Sequence, residues 1–202
     1  MSQIALPLAS GSTGPPRIVI GAANAHVAEA LRRPQTWPFR TAVLTGPRRS
    51  GKSMLARWFA ENGGGEVVDE ALDWDETALF HRWNSAQERG IPLLIVAGEP
   101  PWDIALPDLC SRLGAALQLE IGTPDDTMAE ELLHSLAAER GLHLGNEAAA
   151  YLVPRAGRSW ADLERLVAAI DRLSLERKAP ATQSIWRAAL EAVHGPEEPR
   201  LI

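Results

Sequence analysis

Residues 41–53, TAVLTGPRRSGKS, decide how the rest of this chain is read. Thr41 to Thr45 is a short apolar and β-branched run of the kind that forms a buried strand. The run breaks at Gly46, and residues 46–53, GPRRSGKS, satisfy the pattern G-x-x-x-x-G-K-[ST]. From Ser53 the segment SMLARWFAE continues with helical spacing. Strand, glycine-bearing loop and helix are the context in which this pattern wraps a polyphosphate. The glycines let backbone N–H groups turn inward, and the following helix presents its positive end to the anion. Gly46, Pro47, Arg48, Arg49, Ser50, Gly51, Lys52 and Ser53 therefore form a candidate phosphate site. In it Lys52 would neutralise the β and γ phosphates, and the Ser53 hydroxyl would ligate magnesium.

Such a site needs a carboxylate at the end of a second buried strand. Val67-Val68-Asp69-Glu70 supplies one, with Asp69 suited to holding hydrated magnesium and Glu70 to polarising an attacking water. The plainer alternative is an acidic strand end that caps the next helix. Asp73 and Asp75 are read as cap residues rather than ligands.

Working outward, Asn24 can cap a helix NAHVAEALRR that stops before Pro34. Glu66 to Glu70 is a strand entered through three glycines, a helix fits Asp75 to Arg89, and Ile91 to Gly98 is the strongest buried strand. A short helix around Leu109 and a strand at Leu117 to Ile121 complete an alternation that implies a mainly parallel sheet. Beyond Pro124 strand signals vanish and four helices follow: Asp125 to Arg140, Asn146 to Ala156, Ser159 to Arg177 opened by a Ser-x-x-Asp box, and Thr182 to His194. The predicted organisation is a tether over 1–16, an α/β base over 17–123 and a helical lid over 124–202.

With 202 residues, 46% of them apolar and 23% charged, the chain has the makeup of a globular domain. A net charge of -6 supplies no general attraction for nucleic acid, so any DNA contact would have to be local. No stretch approaches the roughly 20 apolar residues that span a bilayer, and the start lacks the basic, longer apolar form of a secretory signal, so the expected compartment is the cytoplasm. A single cysteine, Cys110, excludes an internal disulfide framework and reads as a small buried hydrophobe. Lys52 and Lys178 are the only lysines, which makes the position of Lys52 conspicuous. The seven tryptophans have no stacking-platform spacing; Trp58, Trp83, Trp160 and Trp186 read as packing residues, and Trp37 either packs or lines a base pocket. The histidines have no ligand spacing. Residues 3–8, QIALPL, stand before a Gly, Ser and Pro tether and read either as a stray terminal strand or as a docking peptide.

The ordered set resembles the DnaA family of AAA+ P-loop ATPases, and within it the shortened regulatory Hda type. The matching pieces are IVIGAANAHVA, LTGPRRSGKSMLA, VVDE, LLIVAGEPPWDIALPDLCSRLGAALQLEIGTPDD and a helical tail containing RSWADLERLVAAIDRL. The resemblance implies a parallel AAA+ sheet with flanking helices plus a small helical lid. It puts Val19, Ile20 and Asn24 near the base of an adenine nucleotide, ADP or ATP with Mg2+, and residues 46–53 round its phosphates. It puts Arg112 at the arginine-finger position that reaches a neighbouring subunit's nucleotide, where a guanidinium stabilises charge on the transferring phosphoryl group. It also makes QIALPL similar to the peptide that binds the sliding clamp, with Gln3 as hydrogen-bonding head and Leu6 and Leu8 as apolar anchors.

Departures from the family shape the functional expectation. Only residues 54–68 separate Ser53 from Asp69, too few for the extra strand and helix usual there, so one edge strand of the sheet is expected to be missing. The chain ends without a helix-turn-helix domain, so sequence-specific DNA binding is not expected. The polar sensor position falls near Gly98, and the lid arginine position falls at Ala161, with Arg158 the nearest substitute. The expectation is an adaptor with weak intrinsic hydrolysis that binds nucleotide and the clamp and activates ATP hydrolysis by DnaA, preventing reinitiation. Self-association through the phosphate-loop face is left open. The alternative is a self-sufficient P-loop ATPase or nucleotide kinase, which the Asp69-Glu70 pair favours.

Overall fold

The computed structural model describes residues 18–195, which divide into two compact units. The first is built on residues 22–122. Its four strands are β1 (Thr41–Thr45), β2 (Glu66–Val68), β3 (Leu93–Val96) and β4 (Leu117–Glu120). They form one sheet in the order β2-β3-β1-β4, with every pairing parallel. Helices α1 (Ala25–Leu31), α2 (Lys52–Glu61), α3 (Glu76–Arg89) and α4 (Pro107–Gly114) connect and cover it. This is the AAA+ arrangement with four strands, as the short spacing between Ser53 and Asp69 predicts.

Burial explains why these runs became strands. Val43, Val68, Leu93 and Ile95 face a core completed by Leu79 and Ala86 of α3 and by Leu109 and Leu113 of α4. The alternate residues Ala42, Leu44, Leu94 and Val96 are equally buried, so both faces of the inner strands are covered. At the outer strand β2, Glu66 pairs with Arg82 at 3.0 Å and Arg89 at 2.6 Å, both from α3, which places charge on an edge that would otherwise invite pairing.

Local signals set the helix boundaries. Asp75 caps α3 by accepting from Ala78 N–H at 2.9 Å, and Gly90 ends the helix in the left-handed conformation. Asn24 occupies the N-cap of α1, but its side chain makes no capping hydrogen bond. Ahead of α1, Ile18 forms a single bridge residue. Cys110 corrects its sequence reading: it is exposed. In α4 the buried stripe is Leu109 and Leu113, one turn apart, and the next position round the helix faces solvent.

The second unit joins residues 18–21 to a helical bundle of α5 (Asp126–Glu139), α6 (Asn146–Leu152), α7 (Trp160–Arg177) and α8 (Gln183–His194). Its centre includes Leu133, Leu152, Leu163, Leu166, Val167, Ile170 and Ile185. Asp125 caps α5 through Met128 N–H at 2.8 Å. The Ser159 hydroxyl accepts from Asp162 N–H at 3.0 Å and donates to the Asp162 carboxylate at 2.6 Å, and that carboxylate also accepts from the Ser159 backbone, which completes the box that the sequence predicts.

Candidate functional site

Parallel pairing brings three strand ends to one rim. Leu44 lies opposite Val96 and Val68 opposite Ile95, so the residues after β1, β2 and β3 emerge side by side. Those residues are the loop 46–51, Asp69 with Glu70, and Gly98 with Glu99. Gly46 N–H donates to Gly98 O at 3.2 Å and ties the loop to the neighbouring strand end.

The loop has the backbone that wrapping requires. Gly46 has φ 145° and Gly51 φ 86°, and a Cβ at Gly46 would meet Ile121 O at 2.9 Å. Arg49 and Glu70 also sit in the left-handed region, with φ of 62° and 52°, a conformation that costs a non-glycine residue energy and concentrates at functional sites. Lys52 turns back over the loop and donates to Gly46 O and Pro47 O, each at 2.7 Å. Burial lowers the pKa of its ammonium; Glu99 and Asp69 oppose this, and Arg48 adds to it. Ser50 is 1% exposed and its Oγ has no hydrogen-bond partner among the described residues. A half-buried cation, an orphaned buried hydroxyl and the N-terminus of α2 converge here, a donor set that fits a polyphosphate.

Ser53 is exposed in the first turn of α2, and Asp69 is half-buried with its Oδ1 accepting from Glu70 N–H at 2.9 Å. Arg48 and Arg49 are exposed. Sequence reasoning passed over Glu99. It is the first charge after β3 and acts on Lys52, and a carboxylate just past the C-terminal end of an inner strand was the signal that could have found it. Among the described residues no group of three or more His, Cys, Asp or Glu side chains gathers.

Arg112 lies in the last turn of α4, away from solvent on one side. Its guanidinium stands over the Phe80 ring at 4.4 Å and the Trp83 ring at 4.6 Å, and it donates to Asn84 Oδ1. Trp37 is buried, stacks on Phe59 at 5.3 Å and donates from Nε1 to Ala30 O at 2.9 Å, so it packs the base unit. Trp58 and Trp160 are buried, whereas Trp83 and Trp186 are half-buried. In the helical unit, Arg158 pairs with Asp126 at 3.0 Å and Ala161 lies in the first turn of α7. Val19 and Ile20 are half-buried and Asn24 is fully buried. Gln3, Leu6 and Leu8 lie outside the described residues.

Residues 126–184 match the family described as Hda, lid domain. The fold is similar to that of domain III of the replication initiation protein DnaA of Thermotoga maritima, with a TM-score of 0.72 at 12% identity, covering 88% of this chain and 95% of that one. It is also similar to the replication initiator DnaA bound to AMPPCP and single-stranded DNA, with a TM-score of 0.60 at 16% identity, covering 79% of this chain and 65% of that one. In sequence, 113 residues are 27% identical to an uncharacterized protein of Haemophilus influenzae, a match over 54% of this chain and 48% of that protein. The chain thus spans about half the length of this curated relative.

Proposed function

Taking the chain as an Hda-type AAA+ protein of the DnaA family, we propose that it is a regulatory adaptor that activates ATP hydrolysis by DnaA and so prevents reinitiation of replication. The observation that carries this reading is an Hda-type lid on a chain that also holds a full phosphate loop. In the proposed mechanism Gly46 to Ser53 bind the phosphates of ADP or ATP, with Lys52 and the Ser50 hydroxyl as side-chain donors. Ser53 and Asp69 would hold the accompanying Mg2+, which would screen phosphate charge. Glu99 bears on Lys52 from the sensor side of the rim. The roles implied for Val19, Ile20, Asn24 and Arg158 belong to the same proposal, as does docking of Gln3, Leu6 and Leu8 on the sliding clamp. Arg112 is the group offered to the neighbour's nucleotide.

The test is ATP turnover by DnaA measured with clamp-loaded DNA and this chain, wild type against Arg112→Ala. Stimulation by wild type and its loss in the variant are expected; an unchanged rate on adding wild type sinks the reading. Removing residues 1–9 should abolish capture by the clamp, and full capture by the truncated chain would remove the clamp from the proposal. The Asp69-Glu70 pair favours a second reading, a self-sufficient ATPase, in which Glu70 polarises the water. Rapid turnover by the isolated chain, lost in Glu70→Gln, would establish it instead.

A further inference from the structure

The adaptor reading names Arg112 but leaves open how a long, flexible side chain is aimed. Arg112 does not extend freely from α4. Phe80, Trp83 and Asn84 stand at i, i+3 and i+4 on one stripe of α3, and all three engage its guanidinium. The two rings take the flat face of the group, and Asn84 Oδ1 takes one N–H. A guanidinium has five N–H donors, and an aromatic face uses none of them as a conventional acceptor would.

The two helices are also tied at their other end. The Glu76 carboxylate, in the first turn of α3, accepts from Ala105 N–H at 2.9 Å and Leu106 N–H at 2.6 Å, immediately before α4 begins. Alongside these ties Leu79, Ala86, Leu109 and Leu113 are buried in a shared core. α4 is therefore held against α3 at both ends, and the position from which Arg112 departs is set by that packing. Trp83 adds a telling detail: its buried Nε1–H has no hydrogen-bond partner among the described residues. An orphaned indole N–H is a cost that a phenylalanine would avoid. What the indole offers in return is the largest π face among the side chains.

We propose that Phe80, Trp83 and Asn84 are positioning residues that pre-orient the Arg112 guanidinium, leaving its remaining donors for the phosphate oxygens of an ATP-loaded neighbour. This rests on the adaptor reading. Holding the rotamer before docking removes the ordering cost from the encounter and places the charge where it acts on the transferring group. None of the three need touch the partner's nucleotide.

The experiment uses the full chain with DnaA and clamp-loaded DNA, and separates the maximal stimulated rate from the adaptor concentration giving half of it. Trp83→Leu and Asn84→Ala are each expected to lower the maximal rate roughly five-fold, the scale of one cation–π or hydrogen-bond contact, with the half-saturating concentration within two-fold. Trp83→Phe keeps a π face without the orphaned N–H and should retain at least half the rate with equal or higher thermal stability. Adding Trp83→Leu to Arg112→Ala should cause no further loss, because the ring acts through the arginine. In the isolated chain, the Arg112 guanidinium proton resonances should move downfield in Trp83→Leu as the ring current is lost.

Wild-type rates in Trp83→Leu and Asn84→Ala, with Arg112→Ala inactive, would overturn the positioning role and leave the adaptor reading standing. An increased rate in either variant would also overturn it, since the contact would then be a latch. Full activity of Arg112→Ala would remove both.

Discussion

Replacing Lys52 by alanine isolates the phosphate site from the rest of the molecule. The ammonium is already engaged within the loop, donating to Gly46 O and Pro47 O at 2.7 Å each. Nucleotide binding must draw it from those carbonyls, at a net cost of about 1 kcal/mol per bond. Against this stands attraction to a phosphate oxygen, about 4 kcal/mol at 4 Å with an effective dielectric constant near 20. The difference, about 2 kcal/mol, predicts roughly 30-fold weaker binding of Mg-ADP by Lys52→Ala. Stability without nucleotide should fall by no more than about 2 kcal/mol, the net worth of the two bonds that are lost. Calorimetric titration gives the affinity, and thermal unfolding with and without ADP gives the stability. Binding within three-fold of wild type would refute Lys52 as the phosphate cation. A stability loss of several kcal/mol with little change in affinity would mean that the lysine is a structural stitch for the loop.

Three further outcomes follow from the same contacts. Ser50→Ala removes an unpartnered buried hydroxyl, so the ligand-free chain should be as stable or up to about 1 kcal/mol more stable, while the stabilisation gained from Mg-ADP should shrink; equal ADP-induced shifts would exclude Ser50 from the site. Leu109→Ala, at a fully buried position on the inward face of α4, should cost about 2–5 kcal/mol in chemical denaturation, and a loss below 1 kcal/mol would contradict the packing of α4 on the sheet. The Glu66 carboxyl is held below its usual range by the hydrogen bond from Arg89 and the charges of Arg82 and Arg89, against opposing desolvation. Its stabilising effect is therefore present above the ordinary carboxylate pKa near 4.5 and lost as pH falls through the lower folded value. Glu66→Gln should cost about 1 kcal/mol at neutral pH, discounted for the half-exposed arginines, and flatten the acid limb of the stability profile; an unchanged limb would argue that the pairs are inconsequential.

The amino-acid sequence by itself determined the elements and the glycine-bearing loop between β1 and α2. Thr41–Thr45 and Leu93–Val96 are short apolar runs with no polar face, so only a strand covered on both sides suits them. The Ser159 box and the Asp75 cap are local, with donor and acceptor three residues apart, and were legible for that reason. The loop 46–53 was legible because its glycines and lysine act within eight consecutive positions. Tertiary structure alone decided the order β2-β3-β1-β4, which lets Glu99 act on Lys52 across a strand boundary. It also turned Cys110 outward, since a helix of eight residues with two buried leucines leaves the adjacent position exposed. The surroundings of Arg112 were beyond sequence reasoning for the same kind of reason. Trp83 read as an ordinary packing residue along α3, and contacts between side chains 28 or more positions apart leave no mark in local periodicity. Only the packing of α4 on α3 brings the guanidinium to those rings, because burial of Leu79 and Ala86 against Leu109 and Leu113 sets which faces of the two helices meet.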